Sequence, residues 1–315
     1  MQSILSDLFR KIESDIGTQE FCSLVLNALK SALKQYKFHS TDDFVKHLLQ
    51  VFDLIKSTKP RYAILLDSFY RFLKYYEKQK DPQSILKLID EIERIKIAYM
   101  LEAKQMVDVV GADVDVKDKN ILIYDHSHSV QHILEFFVKK HKKFNVIIAE
   151  QDIEKTEDNI SFCHRLGIPY KVVPSYMLSQ MDQAIDMLFF GAVTFQEGYQ
   201  FVMDPGSKSI ISHFHLEKKP AYVFLTTSKF SLWEISDKKQ TVYSVKNKRH
   251  HHCEHSIEFE RIKFSHDRVP LDLISFVGTE KGIHNTAEFT DMFDEMFQRR
   301  AAQRSRVRSL KALVG

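Results

Sequence analysis

Cysteine, glycine and long apolar runs are all scarce in this 315-residue chain. The three cysteines, Cys22, Cys163 and Cys253, are widely spaced and form no Cys-x-x-Cys pair. We therefore expect free thiols in a reducing, intracellular compartment rather than a disulfide framework. No 18 apolar residues run together, and charged residues interrupt the N-terminus, so we expect neither a membrane span nor a signal peptide. A net charge of only +3 gives no argument for nucleic acid binding.

The first part of the chain has apolar residues at helical spacing. Steps of three and four residues place them on one face of a helix. One stripe consists of Ile85, Leu88, Ile89, Ile92, Ile95 and Tyr99, and another of Phe44, Leu48, Phe52 and Ile55. Asp81 and Pro82 are a plausible N-cap and first residue for the helix that carries the first stripe. We predict a helical domain of four or five packed helices over residues 1–115.

Short apolar runs replace this pattern after Gly111. Such runs are typical of parallel strands that are buried on both faces. They are Ile121–Tyr124, Val146–Ile148, Tyr170–Val173, Met187–Phe190 and Tyr222–Leu225, with helical stretches at Ser129–Lys140 and Asn159–Leu166 between them. The alternation predicts an α/β domain over 116–297, with a doubly wound, mostly parallel, Rossmann-like sheet. A binding site would lie at the carboxyl ends of its strands, in the loops Asp125–Ser129, Glu150–Ile153 and Ala192–Ser207.

Two polar segments interrupt or follow this domain. Residues 234–268 are charged and rich in histidine, and we interpret them as a loop or insertion. His251, Cys253 and His255 could hold zinc, but no second cluster at finger-like spacing exists, which favours a solvated loop without metal. Residues 298–315 form a basic tail, which we interpret as either a helix end or a disordered extension. The tail has no interleaved aromatic residues, so it does not indicate nucleic acid binding.

Four stretches, in order and at consistent spacing, resemble a known family. The first stretch is Ile121–Tyr124 with His126–Ser129, and the second is Phe144–Glu150. The third begins at Gly191-Ala192, continues through Gly206-Ser207 and Lys219–Val223, and ends at Ser228–Phe230. The fourth is Asp267–Ile274 with Thr279–Gly282. They resemble the regulatory (alpha, beta and delta) subunits of translation initiation factor 2B. Methylthioribose-1-phosphate isomerase and ribose-1,5-bisphosphate isomerase are relatives of these subunits. The resemblance covers residues 120–293.

The resemblance also implies where isomerase chemistry would lie. In the isomerases a cysteine in the first loop and an aspartate after the Gly-Ala pair act as acid and base. Here those positions hold Ser127 and Val193, and valine cannot carry a proton. The asparagine and lysine before the later Gly are replaced by Met203 and Asp204. The arginine of the phosphate loop is replaced by Asp152, whose negative charge should repel a phosphate.

We therefore expect a degenerate ancestral pocket without catalytic residues, metal or cofactor. Its residues are Ser127, Ser129, Glu150, Val193, Asp204 and Lys229. The His126–Ser129 loop could instead support serine–histidine catalysis. No Gly-x-Ser-x-Gly turn surrounds it, which favours a degenerate loop.

The resemblance implies a non-catalytic regulatory subunit of a factor 2B-like guanine nucleotide exchange complex in the cytoplasm. Its implied partners are initiation factor 2 and sister subunits, in a homo- or hetero-oligomer that is at least a dimer. The chain has no Gly-x-x-x-x-Gly-Lys-Ser/Thr loop, so we expect no bound GTP. Two alternatives remain: an enzyme or metabolite-binding pseudo-enzyme of the isomerase branch, and a bacterial or viral mimic of the regulatory subunit.

Overall fold

The computed structural model describes residues 2–35, 41–57, 62–78, 85–232, 242–250 and 256–314. The described part of the N-terminal region forms four helices. They are α1 (Gln2–Gln35), α2 (Thr41–Ser57), α3 (Ala63–Lys78) and α4 (Ile85–Asp113). We call these four helices the helical lobe. The expected helix start at Asp81 and Pro82 lies outside the described residues.

The apolar stripes of the helical lobe meet in one core. Leu48, Phe52 and Ile55 of α2 and Leu88, Ile92, Ile95 and Tyr99 of α4 are buried there with the aromatic residues of α3. Helix α1 kinks at Gly17, whose φ of 77° suits glycine. The ring of His128 fills the space beside it, since a Cβ there would lie 2.5 Å from the Nδ1 of His128.

A seven-stranded sheet forms the centre of the second lobe, which we call the α/β lobe. Its strands are β1 (Lys119–Ile123), β2 (Phe144–Ala149), β3 (Tyr170–Val173), β4 (Met187–Gly191), β7 (Ala221–Phe224), β12 (Phe276–Thr279) and β13 (Gly282–His284). The order is β13-β12-β7-β4-β1-β2-β3, and every pair is parallel except β12 with β13. From β1 the chain builds the sheet first towards β3 and then, from β4, in the opposite direction. The prediction of a helical domain followed by a doubly wound, mostly parallel sheet is confirmed.

Helices cover both faces of this sheet. They are α5 (His128–Lys139), α6 (Ile153–Arg165), α7 (Ser207–Leu216) and α8 (Thr286–Val314). α5 and α6 pack on one face, and α7 and the start of α8 pack on the other. α4 belongs to both lobes, because Ile92 and Ile95 lie in the helical core while Met106 and Val110 lie in the core beside α5.

A small second sheet was not predicted. It consists of β5 (Thr194–Gln196), β6 (Gln200–Met203), β8 (Phe230–Ser231) and β11 (Asp267–Pro270), in the order β11-β6-β5-β8. The interpretation of residues 192–207 entirely as a loop was therefore wrong. β5 and β6 form an antiparallel hairpin around Gly198, whose φ of 82° permits the tight turn.

Of the two forms expected for residues 234–268, a loop or an insertion, the loop was wrong over the residues that the structure describes. β9 (Val242–His250) and β10 (Ser256–Phe264) form an antiparallel ribbon, and β11 begins at Asp267. The register places Glu258 opposite Lys248 and Glu260 opposite Lys246, so residues of opposite charge face each other across the ribbon. These strands contain many charged residues, so the alternation of apolar and polar residues that predicts a strand was not recognisable in the sequence. The zinc candidates His251, Cys253 and His255 lie outside the described residues.

The boundary expected at residue 298 falls inside a continuous helix. α8 runs from Thr286 to Val314, so residues 298–314 of the expected basic tail are the second half of α8 rather than a separate extension. Of the two predicted forms, the helix end agrees with the structure over the described residues. In that part of the chain, no helix is long and apolar enough to cross a membrane.

Candidate functional site at the strand switch point

A cavity of about 260 Å³ lies beyond the carboxyl ends of β1 and β4, where the strand order reverses. Ligands bind at this position in open parallel sheets because the loops after the two strands diverge there. The loop after β1 contributes Asp125–Ser129, and the segment after β4 contributes Ala192 and Val193. Gly17–Gln19, at the kink of α1, close the cavity from the helical lobe.

Ser127 begins α5 and packs closely against the end of β4. Its Oγ accepts a hydrogen bond from the backbone N–H of Val130 at 3.4 Å, as an N-cap does. A Cβ on Gly191 would lie 2.0 Å from this Oγ, so only glycine fits opposite Ser127. The hydroxyl at the predicted thiol position is therefore part of the joint between α5 and β4.

Val193 takes part in packing between the lobes. Its side chain is 7% exposed and belongs, together with Val202, to the core of the helical lobe. Next to it, Thr194 Oγ1 accepts a hydrogen bond from the backbone N–H of Ala63 in α3 at 3.4 Å. The segment after β4 thus carries the contact between the two lobes.

Asp204 is held by a cation at the cavity wall. Lys155 donates from Nζ to its Oδ2 at 2.5 Å, and Gln151 donates from Nε2 to the same oxygen at 3.1 Å. Burial acts to raise the pKa of the Asp204 carboxyl, but Lys155 outweighs it and holds the pKa below its usual range. Asp204 is therefore an ionised member of an ion pair.

Asp125 is the most unusual group in the site. The residue is 7% exposed, and its Oδ2 accepts a hydrogen bond from the backbone N–H of Gly191 at 2.9 Å. Its buried Oδ1 has no hydrogen-bond partner among the described residues. Burial, followed by the charge of Asp204, raises the pKa of Asp125 to about 7. A carboxyl of this kind titrates near neutrality.

Two histidines line the same loop. The ring centroids of His126 and His128 are 5.2 Å apart, and the Nδ1 of His126 lies 3.7 Å from Asp158 Oδ2. Burial, and then the charge of His126, lower the pKa of His128, which favours a neutral ring beside Gly17. Within the described ranges, no group of three His, Cys, Asp or Glu side chains could hold a metal ion.

Carboxylates of the chain itself occupy two helix N-termini around the cavity. Asp152 Oδ1 accepts a hydrogen bond from Lys155 N at 2.9 Å at the start of α6. Asp267 Oδ2 accepts from Gly206 N and Lys208 N, both at 2.9 Å, at the start of α7. Free helix N-termini attract phosphate groups, but here the backbone donors already bind internal anions.

The structure brings together five of the six residues expected in the pocket. Ser127, Ser129, Val193, Asp204 and Lys229 all line the cavity, and Lys229 Nζ donates to the carbonyl of Ala192 at 3.0 Å. Glu150 does not line it, because its side chain is exposed at the end of β2.

Sequence reasoning missed several contributors to the cavity wall, among them Lys155, His266 and the kink of α1, and it placed Asp125 in a predicted loop of the site without assigning it a role. The position of Asp125 directly after a buried strand was a usable signal. The kink of α1 was not predictable, since it lies more than 100 residues before β1 and meets the cavity only through docking of the lobes.

Comparison with known proteins gives one family and a consistent set of structures. The sequence pattern of the Initiation factor 2 subunit family matches residues 15–286. The fold is similar to the tetrameric eIF2B-beta2-delta2 complex from C. thermophilum, with a TM-score of 0.70 and 16% identity over 92% of each chain.

Two further structures are similar as well. The translation initiation factor eIF-2B from Pyrococcus horikoshii OT3 has a TM-score of 0.66 and 16% identity, over 84% of this chain and 89% of that one. The delta subunit of translation initiation factor eIF-2B from A. fulgidus has a TM-score of 0.62 and 17% identity, over 93% and 92%. At these identities, the likeness establishes the fold.

Proposed function

Because this chain belongs to the Initiation factor 2 subunit family, we propose that it is a non-catalytic regulatory subunit of a factor 2B-like guanine nucleotide exchange complex. In this proposal it acts in the cytoplasm and binds initiation factor 2 and sister subunits, as part of an oligomer that is at least a dimer. The family match over 15–286 and the likeness to a subunit of a beta2-delta2 complex support it.

The environment of Val193 is the observation that best supports the proposal that this subunit is non-catalytic. An isomerase of this family needs a carboxylate that moves a proton at this position. Val193 is an apolar side chain, 7% exposed, and it packs in the core of the helical lobe. A proton carrier is missing there, and the valine that lines the cavity in its place also packs in the contact between the lobes.

The charges around the cavity support the same proposal. A phosphosugar substrate needs cations or free backbone N–H groups for its phosphate. The N-termini of α6 and α7 are bound by Asp152 and Asp267, and Lys155 is paired with Asp204. These carboxylates place negative charge at the N-termini of α6 and α7, which disfavours a phosphate at these two helices.

Affinity capture of the tagged full-length chain from its own cells tests the association. We expect mass spectrometry to recover sister factor 2B subunits and initiation factor 2, with the tag alone as the control. Sedimentation of the purified chain should show a dimer or larger species. A stable monomer that recovers neither set of partners contradicts the proposal.

An activity assay tests the absence of chemistry. The purified chain is incubated with methylthioribose-1-phosphate and with ribose-1,5-bisphosphate, and an active isomerase of the family serves as the positive control. We expect no turnover above the buffer rate. Turnover that is lost in Ser127→Ala would show that the hydroxyl is catalytic and would overturn the proposal.

A metabolite-binding pseudo-enzyme is the second candidate, and the cavity itself favours it. The cavity retains about 260 Å³ and a buried carboxyl at Asp125. Thermal-shift screening with ribose bisphosphates and nucleoside monophosphates tests it. A ligand at a hundredfold excess over its dissociation constant stabilises the folded state by about 2.7 kcal/mol. The absence of any shift across the panel would reject this candidate.

A further inference from the structure

The second half of α8 crosses from one lobe to the other. Phe289 and Phe293, near its start, are 0% and 1% exposed in the core of the α/β lobe. Two turns later, Arg300 lies on the helical lobe, where Nη2 donates to Asp67 Oδ1 of α3 at 2.5 Å. α8 also contacts α2. Nearly all of α8 lies outside the range 15–286 that the family pattern matches.

The site that receives Arg300 is built around one buried carboxylate. Asp67 is 5% exposed, and its Oδ2 accepts hydrogen bonds from Arg71 Nε at 2.7 Å and from Tyr99 OH at 3.1 Å. Arg71 also donates to Glu102 Oε1 at 3.0 Å. Asp67 and Glu102 therefore share the single guanidinium of Arg71. Arg300 brings a second guanidinium to the other oxygen of Asp67, Oδ1.

Arg300 fits this site in shape as well as in charge. Its guanidinium carbon lies 4.2 Å from the ring centroid of Tyr70, within the range of a cation–π contact. Its side chain is only 13% exposed. A buried charge of this kind is costly to leave unpaired, so the docked position of α8 depends strongly on this contact.

The sequence of the remaining segment of α8 favours weak docking. Residues 298–315 contain no acidic residue and few large apolar residues. The basic residues of this segment are Arg299, Arg300, Arg304, Arg306, Arg308 and Lys311. A segment with six like charges repels itself, and burial of so few apolar side chains stabilises a docked helix only weakly.

We propose that residues 298–314 of α8 are a strap that docks on the helical lobe through Arg300 and undocks as a unit while both lobes stay folded. Docking gives Asp67 a second guanidinium. Undocking releases the side chain of Arg300 and leaves Asp67 with Arg71 as its cation among the described residues. The strap is a conformational device that adds to the subunit role proposed above and does not depend on it.

Hydrogen exchange of the full-length chain, followed peptide by peptide, tests the strap with a matched pair of variants. Arg300→Ala removes the docking contact. Arg299→Ala removes the adjacent arginine, whose side chain is 72% exposed and pairs with Glu295 of the same helix. We expect exchange in the strap to rise about tenfold or more in Arg300→Ala and less than about twofold in Arg299→Ala. Peptides from β1 and β4 should exchange as in the wild type.

A double variant separates undocking from the cost of an unpaired carboxylate. Asp67→Asn with Arg300→Met removes both charges, so the stability of the helical lobe should recover relative to Arg300→Ala. The strap should still exchange fast, because its anchor is gone. Three results would overturn the proposal: strap protection unchanged in Arg300→Ala, an equal rise in exchange in the strap and in β1, or full strap protection in the double variant.

Discussion

Replacement of Asp125 by asparagine should change how the stability of the protein depends on pH. Asparagine keeps the shape of the side chain and an oxygen for the Gly191 N–H, but it cannot ionise. Burial raises the pKa of Asp125 to about 7, from an ordinary value of 3.8. The folded state therefore binds this proton more tightly than the unfolded state does. The stability that the proton supplies is complete below about pH 4 and is lost as the pH rises through 7.

The size of this effect follows from the two pKa values. At about 1.4 kcal/mol per pH unit, a difference of about three units corresponds to about 4 kcal/mol. Relaxation around the charged form reduces this figure, so we expect about 2–4 kcal/mol. The difference between Asp125→Asn and the wild type should be smallest at pH 4.5, the lowest pH of the series, and should grow as the pH rises. By pH 8 the variant should be more stable by that amount, because the wild type then buries a charge whose Oδ1 has no partner among the described residues.

Urea unfolding of both proteins between pH 4.5 and 8.5 measures the difference directly. Asp108→Asn, on the exposed face of α4, is the matched control and should show no comparable change with pH. The two proteins share all other titrating groups, so the contributions of those groups to the free energy of unfolding cancel in the comparison. A difference between Asp125→Asn and the wild type that stays within about 0.5 kcal/mol at every pH would refute the reasoning.

Two further predictions concern the joints around the cavity. Gly191→Ala places a Cβ 2.0 Å from Ser127 Oγ and 2.7 Å from Ser127 Cβ, so it should lower the free energy of unfolding by about 1–3 kcal/mol. Replacement of an N-cap serine by glycine costs only a few tenths of a kcal/mol, so Ser127→Gly alone should change stability little. In the double variant with Gly191→Ala it should restore most of the lost stability. Losses that simply add in urea unfolding would contradict the close contact. Asp267→Ala removes the acceptor of two backbone N–H groups at the start of α7 and should cost about 0.5–2 kcal/mol in the same assay. Inorganic phosphate should then stabilise Asp267→Ala more than the wild type, and an equal response would show that the carboxylate does not block an anion site.

The sequence predicted the central sheet because its signal is local. The runs at 121–124 and 187–190 are continuous and apolar, and the corresponding strands β1 and β4 are buried on both faces. The small sheet was missed because its strands have two to four residues. Its pairing also depends on distant partners, such as Phe195 with Phe230. Four residues carry too little periodicity to separate a strand from a loop.

The sequence predicted those parts of the candidate site that lie at the ends of the strands. The resemblance placed Ser127 and Val193 in one pocket, and both line the cavity. It placed Glu150 there as well, although this side chain is exposed. The pKa of Asp125 was beyond sequence reasoning, because it arises from burial and from Asp204, 79 residues further along the chain. Family membership, in contrast, is confirmed by the match over 15–286.

The packing of Val193 has a consequence for substitutions at this position. Its side chain belongs to the core of the helical lobe, beside Val202 and next in sequence to Thr194, which accepts a hydrogen bond from Ala63. An aspartate here would bring a carboxylate into a largely apolar contact, which is costly without a charge partner. A single Val193→Asp substitution should therefore weaken the packing between the lobes. The joint thus restricts which side chains position 193 accepts, and an acid there requires compensating changes in its neighbours.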